Sequence, residues 1–204
     1  MAGEPHRDFL NRYYKWSRPI YDLTRKYYLF GRDTLITELV REPWRSLVEI
    51  GPGTGRNLQK IARKRPDAVL GGVEPCDEML ALARKRLPHA MWVRGFAEDA
   101  RFDDVMGGPV DRVMCSYSLS MMGDPDAAID RALEQLGPHG ELAVVDFGDL
   151  AGAPRVVRES FHTWLNTFHV TPIDVEALRQ RGATVRFGPL RYFFVARLRR
   201  PVVA

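Results

Sequence analysis

Three glycines at alternate positions, Gly51, Gly53 and Gly55, follow an apolar run from Ser46 to Ile50 and precede Arg56-Asn57-Leu58. This order reads as a buried strand, a tight turn and the start of a helix, the arrangement by which an α/β sheet presents a nucleotide-like ligand at a strand's carboxyl end. The spacing is not the dinucleotide fingerprint, because no third glycine stands three residues beyond Gly53. Pro52 also removes a backbone N–H from the turn, whereas a pyrophosphate cradle gains from each N–H it can offer. The loop therefore suits a ligand carrying adenosine without a phosphate. A second run, Leu70-Gly-Gly-Val-Glu74, places a carboxylate about 20 residues past the loop, where it can accept from ribose hydroxyls.

The elements that must position these residues follow from the pattern. Strands are expected near 46–50, 68–73, 90–94, 110–116 and 140–146, with helices near 55–65, 77–87 and 125–136 between them. Such alternation implies a parallel sheet with right-handed crossovers. Asp124-Pro125-Asp126 gives a helix cap followed by a first-turn proline. Helices are also expected at 155–168 and from Thr171-Pro172 to Gly182, followed by two β runs within 183–199 separated by Gly188-Pro189. Residues 6–42 look helical in pieces, with Gly31 as a stop.

The glycine loop with its distal acid resembles the class I S-adenosylmethionine-dependent methyltransferases over about residues 45 to 147. The resemblance implies a Rossmann-like α/β fold. Its sheet would have seven strands, mostly parallel with one antiparallel strand, with helices on both faces and an N-terminal helical lid. Residues 1–44 would form the lid and 45–204 the cofactor-binding core. The implied cofactor is S-adenosylmethionine. Its carboxylate would meet the helix opening at Gly55, its ammonium the carbonyl of Gly51, and its ribose Glu74. Asn57 would reach the methionine moiety, Met79 would cover the adenine, and Ala97 and Glu98 would meet the adenine edge, with Asp99 as an alternative acceptor. Ser116 and Tyr117 would stand where the methyl group is passed on, and Tyr21 would close over the cofactor.

A longer string, from Tyr13-Tyr14 through Ile20-Tyr-Asp-Leu-Thr-Arg25 to Leu29-Phe-Gly-Arg-Asp33, is more specific. With Cys115–Met122 and Trp164–Val170 it resembles the bacterial N-methyltransferases of betaine-lipid synthesis. These use S-adenosylmethionine to trimethylate diacylglyceryl homoserine. The implied catalytic candidates are Tyr14, Tyr117 and His162. Tyr13, Arg18, Arg25, Trp164 and His169 are the candidates for holding the acceptor. Phosphatidylethanolamine and quinone-like acceptors remain alternatives, as does a cofactor-binding protein without catalysis.

Composition sets the frame. The chain has 204 residues, a formal charge of +4 and two cysteines, Cys76 and Cys115. Two cysteines are too few for a disulfide framework and favour a reducing cytoplasm. No stretch of about 18 apolar residues spans a bilayer. Arginines at 186, 191, 197, 199 and 200, without an acid after Gly182, suggest an anionic partner. The expected partner is a lipid at an anionic membrane surface, met peripherally from the cytoplasmic side. No nucleic acid or metal is expected, and a homo-oligomer is left open.

Overall fold

The computed structural model describes residues 29–168 and 170–200. The described elements begin with α1 (Arg32–Leu39), β1 (Ser46–Ile50), α2 (Arg56–Lys64), β2 (Val69–Glu74), α3 (Asp77–Arg86) and β3 (Met91–Arg94). They continue with α4 (Phe102–Met106), β4 (Val110–Ser116), a 3-10 turn (Leu119–Met121), α5 (Pro125–Glu134) and β5 (Leu136–Phe147). The last are α6 (Arg155–Thr167), α7 (Val175–Gln180), β6 (Thr184–Phe187) and β7 (Phe193–Arg199). The strands form one seven-stranded sheet in the order β3-β2-β1-β4-β5-β7-β6. The β1–β2, β1–β4, β2–β3 and β4–β5 pairs are parallel, and β7 runs antiparallel to both of its neighbours. The seven-stranded sheet with one reversed strand is therefore as expected.

Side-chain alternation divides the core into two layers. Val48, Val113, Val144 and Phe194 point to the layer containing Phe102, Ile129 and Leu178 from α4, α5 and α7. Leu47, Met114, Val145 and Val195 point to the other, with Leu35 of α1, Leu58 and Ile61 of α2, and Leu165 of α6. Residues 35, 39 and 44, on the lid side of the expected boundary, are thus part of the same core.

Several boundaries differ from expectation. Gly31 stands before α1 as its N-cap, in a left-handed conformation, and the helical pieces expected ahead of it fall mostly outside the described residues. Strand β5 begins at Leu136, which pairs with Val110 across a register shift before regular pairing resumes at Arg112 and Glu141. The irregular stretch contains Pro138, which has no N–H for the ladder. Helix α7 starts at Val175, because the Asp174 carboxylate accepts from the N–H groups of Glu176 and Ala177 and sets the first turn there. The Asp124 cap is as read: its side chain accepts from Ala127 N, with Pro125 just inside.

The basic tail meets acids from elements far back in the chain. Arg186 pairs with Glu38 at 2.6 Å, Arg191 with Asp149 at 2.5 Å, and Arg197 with Glu42 and Glu141 at 3.0 and 2.6 Å. Of these pairs, that of Arg197 is largely covered, while Arg186 and Arg191 stay open to solvent. No helix among the described residues is long and apolar enough to cross a membrane.

Candidate functional site

The turn after β1 requires glycine. Gly51, Gly53 and Gly55 have φ of +67°, +55° and +74°, where a Cβ is strained. Glu74, at the end of β2, fixes the loop from one side: one carboxylate oxygen accepts from Gly53 N at 2.9 Å, the other from Cys76 N at 3.0 Å. Arg86 of α3 reaches the Thr54 carbonyl at 3.0 Å from another. The loop's shape is thus held by the protein's own hydrogen bonds. As an ionised carboxylate Glu74 is an acceptor only, the chemistry a ribose hydroxyl calls for.

Beyond Glu74 lies a small apolar group in which buried Cys76 and Met79 pack with half-buried Leu82, Phe96 and Met121. Gly95 N donates to Glu74 O at 3.3 Å, which brings the 95–99 loop alongside. Ala97 in that loop is buried and Glu98 half-buried. Sequence reasoning passed over Phe96, although it stands immediately before Ala97.

Beneath the loop, strand alternation turns Glu49 toward the α1/α2 layer. It is fully buried, and its Oε1 accepts from Asn57 Nδ2 of α2 at 2.7 Å. Burial pushes its pKa up to about 7, against the lowering effects of the Asn57 hydrogen bond and the Arg32 charge, with Glu74 adding to the rise. Glu49 Oε2, Asn57 Oδ1, Arg32 Nε and Ser116 Oγ are all buried without a hydrogen-bond partner. Buried polar atoms are rarely left so, and their concentration around one loop marks a place where a polar ligand completes the bonding. Glu49 was missed in the sequence; a lone acid inside an apolar strand, two residues before the first glycine, is the signal that could have found it.

The segment after β4 completes the rim. Tyr117 adopts φ +55°, and Ser118 Oγ donates to Ile50 O at 2.8 Å, holding this turn against the glycine loop. The Tyr117 hydroxyl donates to Phe30 O. Burial raises its pKa, so it holds its proton more firmly than an ordinary phenol. Tyr117, a catalytic candidate in the sequence, thus has its ring in an aromatic cluster and its hydroxyl engaged with Phe30 O. The cluster centres on Phe147 at the end of β5, with ring centroids of Tyr117, Phe161, Tyr192 and Trp164 at 4.7, 5.9, 6.1 and 6.2 Å. Trp164 is thus brought to the site's edge, and His162 lies half-buried beside Phe161, centroids 6.0 Å apart. Tyr13, Tyr14, Arg18, Tyr21, Arg25 and His169 lie outside the described residues.

Residues 47–140 match the family model of a methyltransferase domain. The match runs from β1 into β5 and is to a methyltransferase domain, not to the whole chain. Along 101 residues it is 31% identical to the trans-aconitate 2-methyltransferase of Delftia acidovorans, covering 49% of this chain and 37% of that protein. The chain thus spans little more than a third of the length of this curated relative. Among solved structures, it is similar to a methyltransferase of Thermotoga maritima described as a possible histamine N-methyltransferase. The TM-score is 0.67, with 22% identity over 96% of this chain and 97% of that one. It is also similar to an amino pentose methyltransferase from Micromonospora echinaspora solved with S-adenosylmethionine bound. There the TM-score is 0.52, with 24% identity over 61% of this chain and 55% of that one.

The residues present fit that cofactor. Glu74 suits the ribose diol, the group around Met79 and Phe96 suits the adenine, and the unpartnered acceptors of Glu49 and Asn57 suit the methionine ammonium.

Proposed function

We propose that the protein is an S-adenosylmethionine-dependent N-methyltransferase acting on the amine of a lipid headgroup, with diacylglyceryl homoserine as the first acceptor to test. The observation that carries this reading is the aromatic cluster beside the glycine loop, together with its apolar surroundings. Among the described residues, four of the seven exposed large apolar side chains lie on segments framing that cluster: Phe30, Val156, Val157 and Leu190. Phe30 packs edge-on against Tyr192, centroids 5.5 Å apart. Leu190 lies in the loop that meets Gly152, with Gly152 N donating to Leu190 O at 3.3 Å. An acceptor with a long apolar portion suits such a frame, and exposed apolar side chains gathered at a site signal a ligand or membrane contact.

The bound cofactor supplies an electrophilic methyl carbon on a positively charged sulfur. Transfer is an in-line displacement, so much of the work left to the protein is positioning. The attacking amine must be neutral, and its product is more cationic and more weakly hydrated. Aromatic faces such as those of Tyr117, Phe161 and Trp164 attract such a group while excluding water.

The similarity to a trans-aconitate methyltransferase favours a second reading, a small polycarboxylate acceptor. Such an acceptor needs cations free to meet it, and Arg191 beside the cluster is held by Asp149 through two nitrogens. The deciding experiment supplies purified full-length protein and S-adenosylmethionine with diacylglyceryl homoserine micelles, phosphatidylethanolamine micelles or trans-aconitate, and reads the products by mass spectrometry. Gains of one to three methyl groups on the homoserine lipid are expected. Methylation of trans-aconitate alone overturns the lipid assignment.

A further inference from the structure

We propose that Arg32 is the residue that reads the α-carboxylate of the cofactor's methionine end, so that α1 belongs to the cofactor site. The inference rests on the cofactor reading above, not on the choice of acceptor. Arg32 is 8% exposed, and its Nε lacks a hydrogen-bond partner. Buried arginines are ordinarily matched to a carboxylate with fork geometry. Among the described residues this one is not: the acid that pairs with it, Asp33, stands 3.8 Å from Nε, is itself largely exposed, and is taken by Lys60 at 2.6 Å. Burial lowers the pKa of Arg32, and the surrounding acids, Asp33 and Glu49, do not make up the loss.

What surrounds Arg32 says which ligand is missing. Its charge is felt by Glu49, whose Oε2 is unpartnered, and Glu49 is bonded to Asn57, whose Oδ1 is unpartnered. A cation, an anion and an amide oxygen with bonds to spare, buried below a cofactor loop, are the complement of an amino-acid zwitterion. The ammonium and carboxylate of methionine sit on one carbon, so the group that reads the carboxylate must lie beside the acceptors of the ammonium. Arg32 meets that condition.

The backbone also pins it. Gly31 has φ +78°, and a Cβ there would fall 2.3 Å from the Phe193 ring. Helix α1 therefore starts at a fixed distance from β7, and Leu35 and Ile36 bury its next turn.

The test compares S-adenosylmethionine with decarboxylated S-adenosylmethionine, which keeps the ammonium and lacks only the carboxylate. Binding is measured by titration calorimetry on wild type, Arg32→Gln and Arg32→Lys. The wild type is expected to prefer the intact cofactor by roughly 10- to 100-fold, the range of a charge-assisted contact. Arg32→Gln should lower affinity for the intact cofactor to that of the decarboxylated one, whose own affinity stays within threefold. Arg32→Lys, which keeps the charge without the fork, should fall between and serves alone if the glutamine variant does not fold. Equal loss for both ligands would make Arg32 structural and overturn the proposal. So would unchanged cofactor binding with a raised acceptor KM. If the wild type binds neither ligand, the cofactor reading itself fails, a result distinct from either of these.

Discussion

Replacing Glu49 with glutamine should stabilise the protein and cripple its cofactor site, with the stability gain building from about pH 4.5 and complete above about pH 7. The carboxyl is fully buried, and burial raises its pKa from an ordinary 4.5 to about 7. A pKa raised by folding means that the folded state holds the proton longer than the unfolded chain. The associated stability is complete below pH 4.5 and is lost as pH climbs to about 7. Over that span, at about 1.36 kcal/mol per pH unit, the loss is about 3 kcal/mol, an order-of-magnitude figure. Glutamine retains an oxygen to accept from Asn57 and never ionises, so it avoids the loss. Urea unfolding without cofactor at pH 5 and pH 8.5 measures the difference directly, because every other titrating group is common to both proteins. Near-equal stabilities at pH 5 and an advantage of about 2–3 kcal/mol for Glu49→Gln at pH 8.5 are expected. The cofactor should reverse the order at pH 8.5, since its ammonium gives the ionised carboxylate a partner that glutamine cannot match. Parallel pH profiles for the two proteins, or a variant less stable at every pH, would refute the reasoning.

Two further substitutions probe the rim of the site. Tyr117→Phe removes the bond to Phe30 O and should cost about 1 kcal/mol in chemical denaturation while leaving kcat within about threefold; a fall of a hundredfold or more would restore the hydroxyl to the chemistry. Asp146, fully buried, accepts from Ser120 N at 3.1 Å, Ser120 Oγ at 2.6 Å and Phe147 N at 2.8 Å. Asp146→Ala leaves three donors unpaired beneath the 3-10 turn and should lower stability by about 3 kcal/mol or more. A change under about 1 kcal/mol would mean that the turn holds without it.

The parts of this fold that were legible in the sequence are those whose causes are local. Alternate glycines after an apolar run can only turn in the left-handed region, as the φ values of 51, 53 and 55 show. The Asp124 cap acts on a backbone N–H three residues on, and the strand-helix alternation fixes a parallel sheet through the handedness of its crossovers. Even the Glu74 signal is a spacing along the chain. Where the local signals competed, the boundary moved: Thr171-Pro172 looked like a helix start, but the Asp174 side chain set it three residues later.

What only the tertiary structure decided depends on partners remote in sequence. The arginines after Gly182 look unopposed because their acids lie far back in the chain: Arg186 meets Glu38 across 148 residues, and Arg197 meets Glu42 across 155. Tyr117 looks like a free phenol until its hydroxyl is seen donating to the carbonyl oxygen of Phe30, 87 residues earlier. The same holds for the site itself. Asn57 and the glycines announce a cofactor loop, but nothing local says that the charge of Arg32 acts on Glu49 or that both are left with unmade bonds. Strand β1 sets that side of Glu49 by alternation, α1 brings Arg32 to it by packing Leu35 and Leu39 into the core, and burial then changes the acidity of both groups. Backbone geometry is written in neighbouring residues, whereas charge, burial and bonding belong to whatever the fold brings together.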